Sequence, residues 1–405
     1  MTVNASNSSA ASPSEVIALV SQLCGPLSTE RVRLADAVGR VLREPVSAPE
    51  DQPPFDRSAV DGYAVRIDDP ATRFRVVDAI RAGDWKPREL QRGETTRIAT
   101  GGALPGDGLQ VVMREAASLE GDEVVIARRE DGRHIRFRGE DAPAGRVLVE
   151  AGTVLQPGTL ALLASVGHTQ PLVTRLPRSV HVATGSEIVA PEEAPQRGQI
   201  RDSNSTLVRA FLRQFGITPR QDRVPENLEA ARTALATPRS HPAGADLLLI
   251  SGGASVGEHD FTRRLLEELG YTIRVGSTTA RPGKPLIVGQ RGGELAFGLP
   301  GNPLAHFVCL NLFVRPALDA WSGLPSGTVF RQGVLAAELE ADGHPRETFW
   351  PARWSLNQGA IRLVPLRWSS SGDLTSLATA NALIRVAAGT RPLQSGSQVE
   401  FVPTE

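Results

Sequence analysis

Four segments concentrate residue types that can do chemistry. The first reads Asp51-Gln52-Pro53-Pro54-Phe55-Asp56-Arg57-Ser58-Ala59-Val60-Asp61-Gly62-Tyr63-Ala64. Its acids and arginine sit on a backbone stiffened by adjacent prolines, which makes a polar loop of fixed shape. An ordinary turn-rich loop has the same composition, and composition alone does not separate the two. The second, Ser251-Gly252-Gly253-Ala254-Ser255-Val256-Gly257-Glu258-His259-Asp260, follows the continuous apolar run Leu247 to Ile250 and opens a helical pattern. In open α/β sheets ligands bind at the carboxyl ends of strands, and glycines let backbone amides approach an anion. The segment is not GxGxxG, and Gly283-Lys284 is followed by Pro285, so neither a Rossmann fingerprint nor a Walker A loop is present. A tight turn is the plainer alternative. The third, Arg281-Pro282-Gly283-Lys284-Pro285, sets two cations on a restricted backbone, which loses less entropy on binding an anion than a free surface would. The fourth is Gly298-Leu299-Pro300-Gly301-Asn302-Pro303. Pro303 near a helix start gives up no needed N–H, a structural reason sufficient for this motif.

Acids also collect at expected strand ends: Glu187, Asp202, Asp246 and Asp260. Simple N-capping accounts equally for Asp202 and Asp260. If several converge they need a cation, since two carboxylates ~4 Å apart repel by about 4 kcal/mol at an effective dielectric near 20. Mg²⁺ shared with a substrate phosphate is the usual remedy. The seven histidines are scattered, and His259 in the Gly-rich loop reads as structural. No HExxH, catalytic-triad signature or nucleophile elbow is visible. The two cysteines, Cys24 and Cys309, form no CxxC, which argues against a disulfide framework and structural zinc. Cys309 lies in the apolar run His306 to Val314 and reads as a buried small hydrophobe.

Several elements must position these segments. Pro13 to Leu27 carries helical spacing at Val16, Ile17, Val20 and Leu23, and Val32 to Leu42 reads as a second amphipathic segment. From Asp51 to about Asp141 the chain is Gly- and Pro-rich with short apolar runs, a β-rich insert in which Val111 to Glu115 and Glu123 to Ala127 read as a hairpin. Leu155 to Val166 resumes helical spacing. From Ser179 to about Gly323 strand alternates with helix: Ser179 to Ala183, a helix to Phe215 capped by Asp202 or Ser203, Leu247 to Ile250, Asp260 to Leu269 ended by Gly270, Leu286 to Val288, Leu295 to Phe297, and Leu304 to Trp321. This alternation predicts a doubly wound, mostly parallel α/β sheet. After Pro325 the pattern becomes period two, as in a small all-β barrel or sandwich. The expected division is a discontinuous helical domain (1–50 and 142–176), an inserted β-rich domain (51–141), an α/β domain (177–325) and a C-terminal β-barrel (326–405).

Composition sets outer limits. Hydrophobic residues at 40% and charged residues at 22% suit a globular chain with real cores. A net charge of −1 gives no global field for nucleic acid or an anionic membrane, so an anion must be held locally. No apolar stretch approaches the ~18 residues of a membrane span. The polar first dozen residues read as a disordered tail on a cytoplasmic protein rather than a signal peptide. The residues alone thus predict an α/β domain that binds a phosphorylated or oxyanionic ligand with a divalent metal.

Taken together, the segments resemble one family, MoeA and the E domain of gephyrin. The resemblance rests on Pro53 to Ala64, Arg97-Ile98-Ala99-Thr100-Gly101, Arg138-Gly139-Glu140-Asp141, Thr184-Gly185-Ser186-Glu187, Ser251 to Asp260, Pro282 to Pro285, Leu299 to Pro303, and Ser371-Gly372-Asp373-Leu374, in the family's order. It implies four subdomains, the α/β one of MoaB/Mog type, and a homodimer with the insert of one subunit facing the α/β domain of the other. It implies an enzyme that inserts molybdate into adenylylated molybdopterin with Mg²⁺, releasing AMP. By motif position Asp61, Thr100, Glu187, Asp246, Asp260 and Lys284 would be catalytic, with Glu187 and Asp260 at the metal. Gly252, Gly253, Ser255, Gly257, Arg281, Pro285, Pro300, Arg346 and Ser371 would bind substrate, Arg281, Lys284, Arg346 and Ser371 around molybdate. A molybdopterin adenylyltransferase and acceptor molybdoenzymes are the implied partners.

The chain departs from the family pattern at Val60 for Met, Ser186 for Asp, Arg281 for Lys and Ala305 for Ser. Ser186 removes a possible metal-site charge, and Arg281 replaces a point donor with a planar fork. Ala305 deletes a hydroxyl near the implied molybdate pocket. Two other functions stay open from sequence: a non-catalytic gephyrin-like scaffold, and the related molybdopterin adenylyltransferase.

Overall fold

The computed structural model describes residues 10–129, 131–236, 244–252, 259–324 and 330–404, without the side chains of 236, 259 and 260. The chain divides into two compact units. One comprises 1–32, 39–41 and 172–405, the other 33–38 and 42–171.

The larger unit is built on a six-stranded sheet. In spatial order its strands are Arg220–Val224, Ser179–Thr184, Leu247–Ser251, Glu294–Leu299, Ile287–Arg291 and Thr272–Val275. The first four run parallel, Ile287–Arg291 runs against them, and Thr272–Val275 runs antiparallel to Ile287–Arg291. Leu247–Ser251 is buried along its whole length because both faces are covered. Leu247 and Leu249 join one core with Val208, Phe211 and Leu212 of the helix Ser203–Arg213 and with the long closing helix. Leu248 and Ile250 join the other, with Ala231, Leu265 and Leu266. Alternate residues of one strand thus serve two helix layers, each buried leucine or isoleucine contributing about 2 kcal/mol.

The N-terminal helix, Pro13–Leu23, packs on the first of these cores through Val16 and Val20. Ser12 caps it, and Glu15 closes a capping box with Pro13 in the first turn. Asp202 is the cap of Ser203–Arg213, accepting from Ser205 N at 2.9 Å. The expected Leu304-to-Trp321 helix is one rod in three parts: Pro303–Cys309, a π-helical stretch Leu310–Val314, and Arg315–Ser322, ended by Gly323 in the left-handed region.

The C-terminal strands close a five-stranded barrel in the order Arg331–Leu335, Ala360–Pro365, Thr348–Asn357, Ala382–Val386, Gln398–Pro403. Ala382, Ile384 and Phe401 fill it. Their neighbours Leu383 and Val402 face the other way and join the α/β core. Period-two alternation therefore both fills the barrel and docks it.

The smaller unit carries a six-stranded sheet ordered Leu109–Met113, Gly62–Arg66, Glu94–Ile98, Arg73–Ile80, Glu123–Ile126, Ala117–Glu120. Ala64, Ile98 and Val111 form a core on one face, and Tyr63, Val65, Phe74 and Val124 on the other. The helix Pro157–Ser165 belongs to this unit.

Two expected elements differ. Val32 to Leu42 forms only a 3₁₀ turn, Leu34–Asp36, and Gly39 at φ +74° breaks the run before a longer helix can form. The hairpin in the insert joins Ala117–Glu120, not residues 111–115, to Glu123–Ile126. A 3₁₀ turn at Arg114–Ala116 separates the two, and Leu109–Met113 pairs instead with Gly62–Arg66. The true partner is a mostly exposed edge strand, whose polarity hides it from a hydrophobic pattern.

Candidate active site

A cleft of about 740 Å³ opens at the carboxyl ends of the parallel strands, where the α/β domain meets the barrel. Three backbone features shape it. Gly252, just after the fully buried strand, lies at φ +99°, and a Cβ there would stand 2.2 Å from the Thr184 carbonyl oxygen. Only glycine lets these two strand ends close up. Gly283 lies at φ +126°, its would-be Cβ 3.1 Å from Cys309 Sγ. Arg281 is tied into the barrel, its N–H donating to Glu347 O at 2.8 Å and its carbonyl accepting from Phe349 N at 2.7 Å. The Arg281 to Pro285 segment is therefore held at both walls.

The cleft gathers Glu187, Gly252, Arg281, Lys284, Pro285, Pro300, Arg346 and Ser371 from the sequence expectations. Lys284 is exposed into it, and among the described residues its ammonium has no hydrogen bond or ion pair. Arg346 donates to Ala280 O at 3.2 Å. Burial, and then the charge of Arg281, push its guanidinium below the ordinary range. An anion placed there relieves that repulsion. Arg281 Nη1 donates to both Asp342 carboxylate oxygens, 2.8 Å to each, and the guanidinium lies 5.4 Å from the Trp368 ring centroid. Burial opposes ionisation of Asp342, but Arg281 outweighs it and holds the carboxyl below its usual range. Ser371 Oγ accepts from Asn302 Nδ2 at 2.7 Å, and Ser371 O from Leu304 N at 3.1 Å, which joins the barrel loop to the start of the closing helix. Beside it, Asp373 organises the loop. Bonds from the Thr375 hydroxyl and from backbone amides, Ser369 foremost, bring its pKa down to about 2.

Glu187 stands exposed at the rim, following Gly185 at φ +148°. With Glu340 and Asp342 it makes the cleft's carboxylates, and Arg281, Lys284 and Arg346 are its cations. The cleft thus carries both cations and carboxylates, while among the described residues no group of three or more His, Cys, Asp or Glu is placed to hold a metal ion. Gly253, Ser255 and Gly257 lie outside the described residues, as does the side chain of Asp260.

Asp246 is placed elsewhere, which corrects its expected catalytic role. It precedes the strand Leu247–Ser251, at the end opposite the cleft, and is buried. Arg175 grips it with two 2.7 Å bonds, and Arg178 adds a backbone N–H at 2.7 Å and two guanidinium bonds at 3.1 Å. No lone pair is left for substrate, and the residue anchors the strand's start. Glu340, Asp342, Trp350 and Trp368 line the cleft but were missed. Asp342-Gly343 offered a turn signal, while nothing local marks the tryptophans.

In the smaller unit Asp61 and Thr100 form a motif of their own. Asp61 Oδ1 accepts from Thr100 N at 2.7 Å and from its hydroxyl at 2.8 Å. These bonds, the backbone one first, hold the Asp61 carboxyl below its ordinary range. Asp61 precedes Gly62–Arg66 and Thr100 follows Glu94–Ile98, a paired antiparallel couple. Both residues are exposed. Tyr63, in the same motif, is core.

Three family models match consecutive stretches: the MoeA N-terminal region (domain I and II) over 11–167, a probable molybdopterin binding domain over 181–320, and the MoeA C-terminal region (domain IV) over 332–404. A molybdopterin molybdenumtransferase of Bacillus subtilis is 34% identical over 92% of this chain and 89% of its own. The chain belongs to the MoeA family. Another molybdopterin molybdenumtransferase, from Nostoc, is 36% identical over 94% of this chain and 90% of its own. Among solved structures, the molybdopterin biosynthesis MoeA protein of Pyrococcus horikosii superposes with a TM-score of 0.77 at 28% identity, covering 98% of this chain and 100% of that one. This MoeA-family chain contains no helix, among the described residues, long and apolar enough to cross a membrane.

Proposed function

We propose that the chain is a molybdopterin molybdenumtransferase, which inserts molybdate into adenylylated molybdopterin with release of AMP, the last step of molybdenum cofactor biosynthesis. One observation carries the reading: Lys284, free among the described residues, shares a cleft with Arg346 and Glu187 in a chain whose relatives carry that name over nine-tenths of its length. Molybdate is a tetrahedral dianion, and Lys284, Arg346 and the Ser371 hydroxyl are donors suited to it. Arg281 joins them when Asp342 yields. The work of these residues is positioning and charge, consistent with the absence of a nucleophile elbow.

Mg²⁺ keeps several waters and takes one or two protein carboxylates beside substrate phosphates, so it needs no larger cluster. Glu187, with Asp260, would hold it, and bound there it would neutralise the phosphoryl oxygens of the adenylyl linkage and the leaving AMP. The chain's own residues would orient the linkage beside the oxyanion, with Trp350 and Trp368 as the apolar part of the lining. The reading includes a cytoplasmic homodimer that receives substrate from a molybdopterin adenylyltransferase and passes product to acceptor molybdoenzymes.

Purified protein supplied with adenylylated molybdopterin, molybdate and Mg²⁺ should yield a product that activates an apo-molybdoenzyme. Supplied with unadenylylated molybdopterin and ATP it should yield no adenylylated product; its appearance would reassign the chain to adenylyl transfer. Binding of adenylylated molybdopterin without turnover would favour the scaffold.

A further inference from the structure

A line of buried polar side chains runs beneath the cleft without lining it. Gln221 Nε2 lies 3.0 Å from His181 Nδ1, and His181 Nε2 2.6 Å from Ser251 Oγ. Ser251 Oγ lies 3.5 Å from His306 Nε2, and His306 Nδ1 3.0 Å from the Pro300 carbonyl oxygen. His181 and His306 are wholly buried and Ser251 is 3% exposed. The line crosses three neighbouring strands and ends on the turn that carries Pro300, Gly301 and Asn302 into the cleft.

Its direction follows from donor and acceptor inventories at both ends. Gln221 Oε1 accepts from Arg209 Nε at 2.7 Å, and Gln221 Nε2 donates to Ser205 O at 2.7 Å, so the amide is oriented with its N–H groups toward His181. His181 Nδ1 must then accept, and a neutral ring carries its proton on Nε2. That proton goes to Ser251 Oγ, whose own hydrogen is left for His306 Nε2. His306 Nδ1–H then donates to Pro300 O. Starting from Pro300, a pure acceptor, gives the same sequence in reverse. Burial keeps both rings neutral, with His181, beside His306, brought down to about 3 and His306 to about 4.

We propose that His181, Ser251 and His306 form a one-directional hydrogen-bond chain that sets the position of the Pro300–Asn302 turn, and through it the oxyanion affinity of the cleft. Asn302 Nδ2 donates to Ser371 Oγ at 2.7 Å, so a displaced turn misplaces a hydroxyl of the cleft. Ser251 is a positioning residue and not a nucleophile, since it is sealed from the cleft. Its place immediately before Gly252 also ties the turn to the end of the central strand. The oxyanion part of the claim rests on the proposed function, while the chain itself does not.

Two measurements on the full-length protein test it. Nitrogen-15 spectra of labelled histidine at pH 7 should show His181 as the neutral Nε2–H tautomer and His306 as the neutral Nδ1–H tautomer, with His306 perturbed in Ser251→Ala. Either ring charged, or in the opposite tautomer, overturns the proposal. Calorimetry with molybdate alone should show affinity about tenfold weaker in Ser251→Ala, recovered in Ser251→Thr, which restores the hydroxyl. His306→Gln, which keeps a donor and an acceptor, should weaken binding less than His306→Leu. Unchanged affinity in Ser251→Ala and in His306→Leu overturns the link to the cleft. Absence of molybdate binding by the unmodified protein counts against the proposed function and leaves the tautomer result to decide the chain.

Discussion

Lys284 and Asp342 are opposite cases of one principle: a charge is available to a ligand only if the protein has not already satisfied it. Lys284 has no partner among the described residues, so Lys284→Ala should raise the molybdate KM at least about tenfold, roughly 1.4 kcal/mol, in a titration of initial rates. Lys284→Arg should restore only part, because a planar fork replaces a compact point charge. Arg281 is held by Asp342. Asp342→Asn should therefore free it and tighten molybdate binding several-fold by calorimetry; weaker binding would mean that Asp342 orients Arg281 rather than competes for it. Glu187→Ala should abolish turnover while sedimentation reports the same oligomeric state as the unmodified protein, and a changed state would return Glu187 to a structural role. Arg281 and Lys284 were legible because prolines and glycine bracket them in sequence, whereas Arg346 came only through the resemblance. Asp246 was given its catalytic role by motif position in the resemblance, although it precedes its strand and ligands bind at the other, carboxyl end. Only the fold shows that it faces Arg175 and Arg178. The His181, Ser251 and His306 line left no sequence signal, since its members meet only through strand pairing.

Elements differ in how much of them a local pattern can carry. Leu247–Ser251 was plain because burial on both faces makes a continuous apolar run. The Ala117–Glu120 edge strand was not, because its residues are mostly exposed and only its partner defines it. The central strand's start depends on Asp246. Burial works against its ionisation, but bonds from Arg175 and Arg178 outweigh that and hold the carboxyl well below the usual range. Asp246→Asn should thus cost about 2 to 4 kcal/mol in urea unfolding, since it leaves two partly buried guanidinium groups short of a counter-charge. The sign follows from a depressed folded-state pKa. The stabilisation is complete above the unfolded value of ~3.9 and fades as pH falls from there toward the folded pKa. The gap between wild-type and variant stabilities should narrow progressively as pH falls below about 4 and close only near the folded pKa, well below about pH 3. A difference that grows on acidification would contradict the assignment.

At the scale of the whole chain, the residues named by the resemblance fall in two compact units: Asp61 with Thr100 in one, the cation-lined cleft in the other. Family membership spans both. The molybdenumtransferase reading rests on the cleft's cations and carboxylates and on the relatives' shared name. The most direct test follows AMP release from adenylylated molybdopterin by the purified protein while molybdate and Mg²⁺ are varied independently. Release that requires Mg²⁺, saturates with molybdate and is lost in Lys284→Ala is the predicted result. Release indifferent to molybdate, or no release from substrate that remains bound, would contradict it.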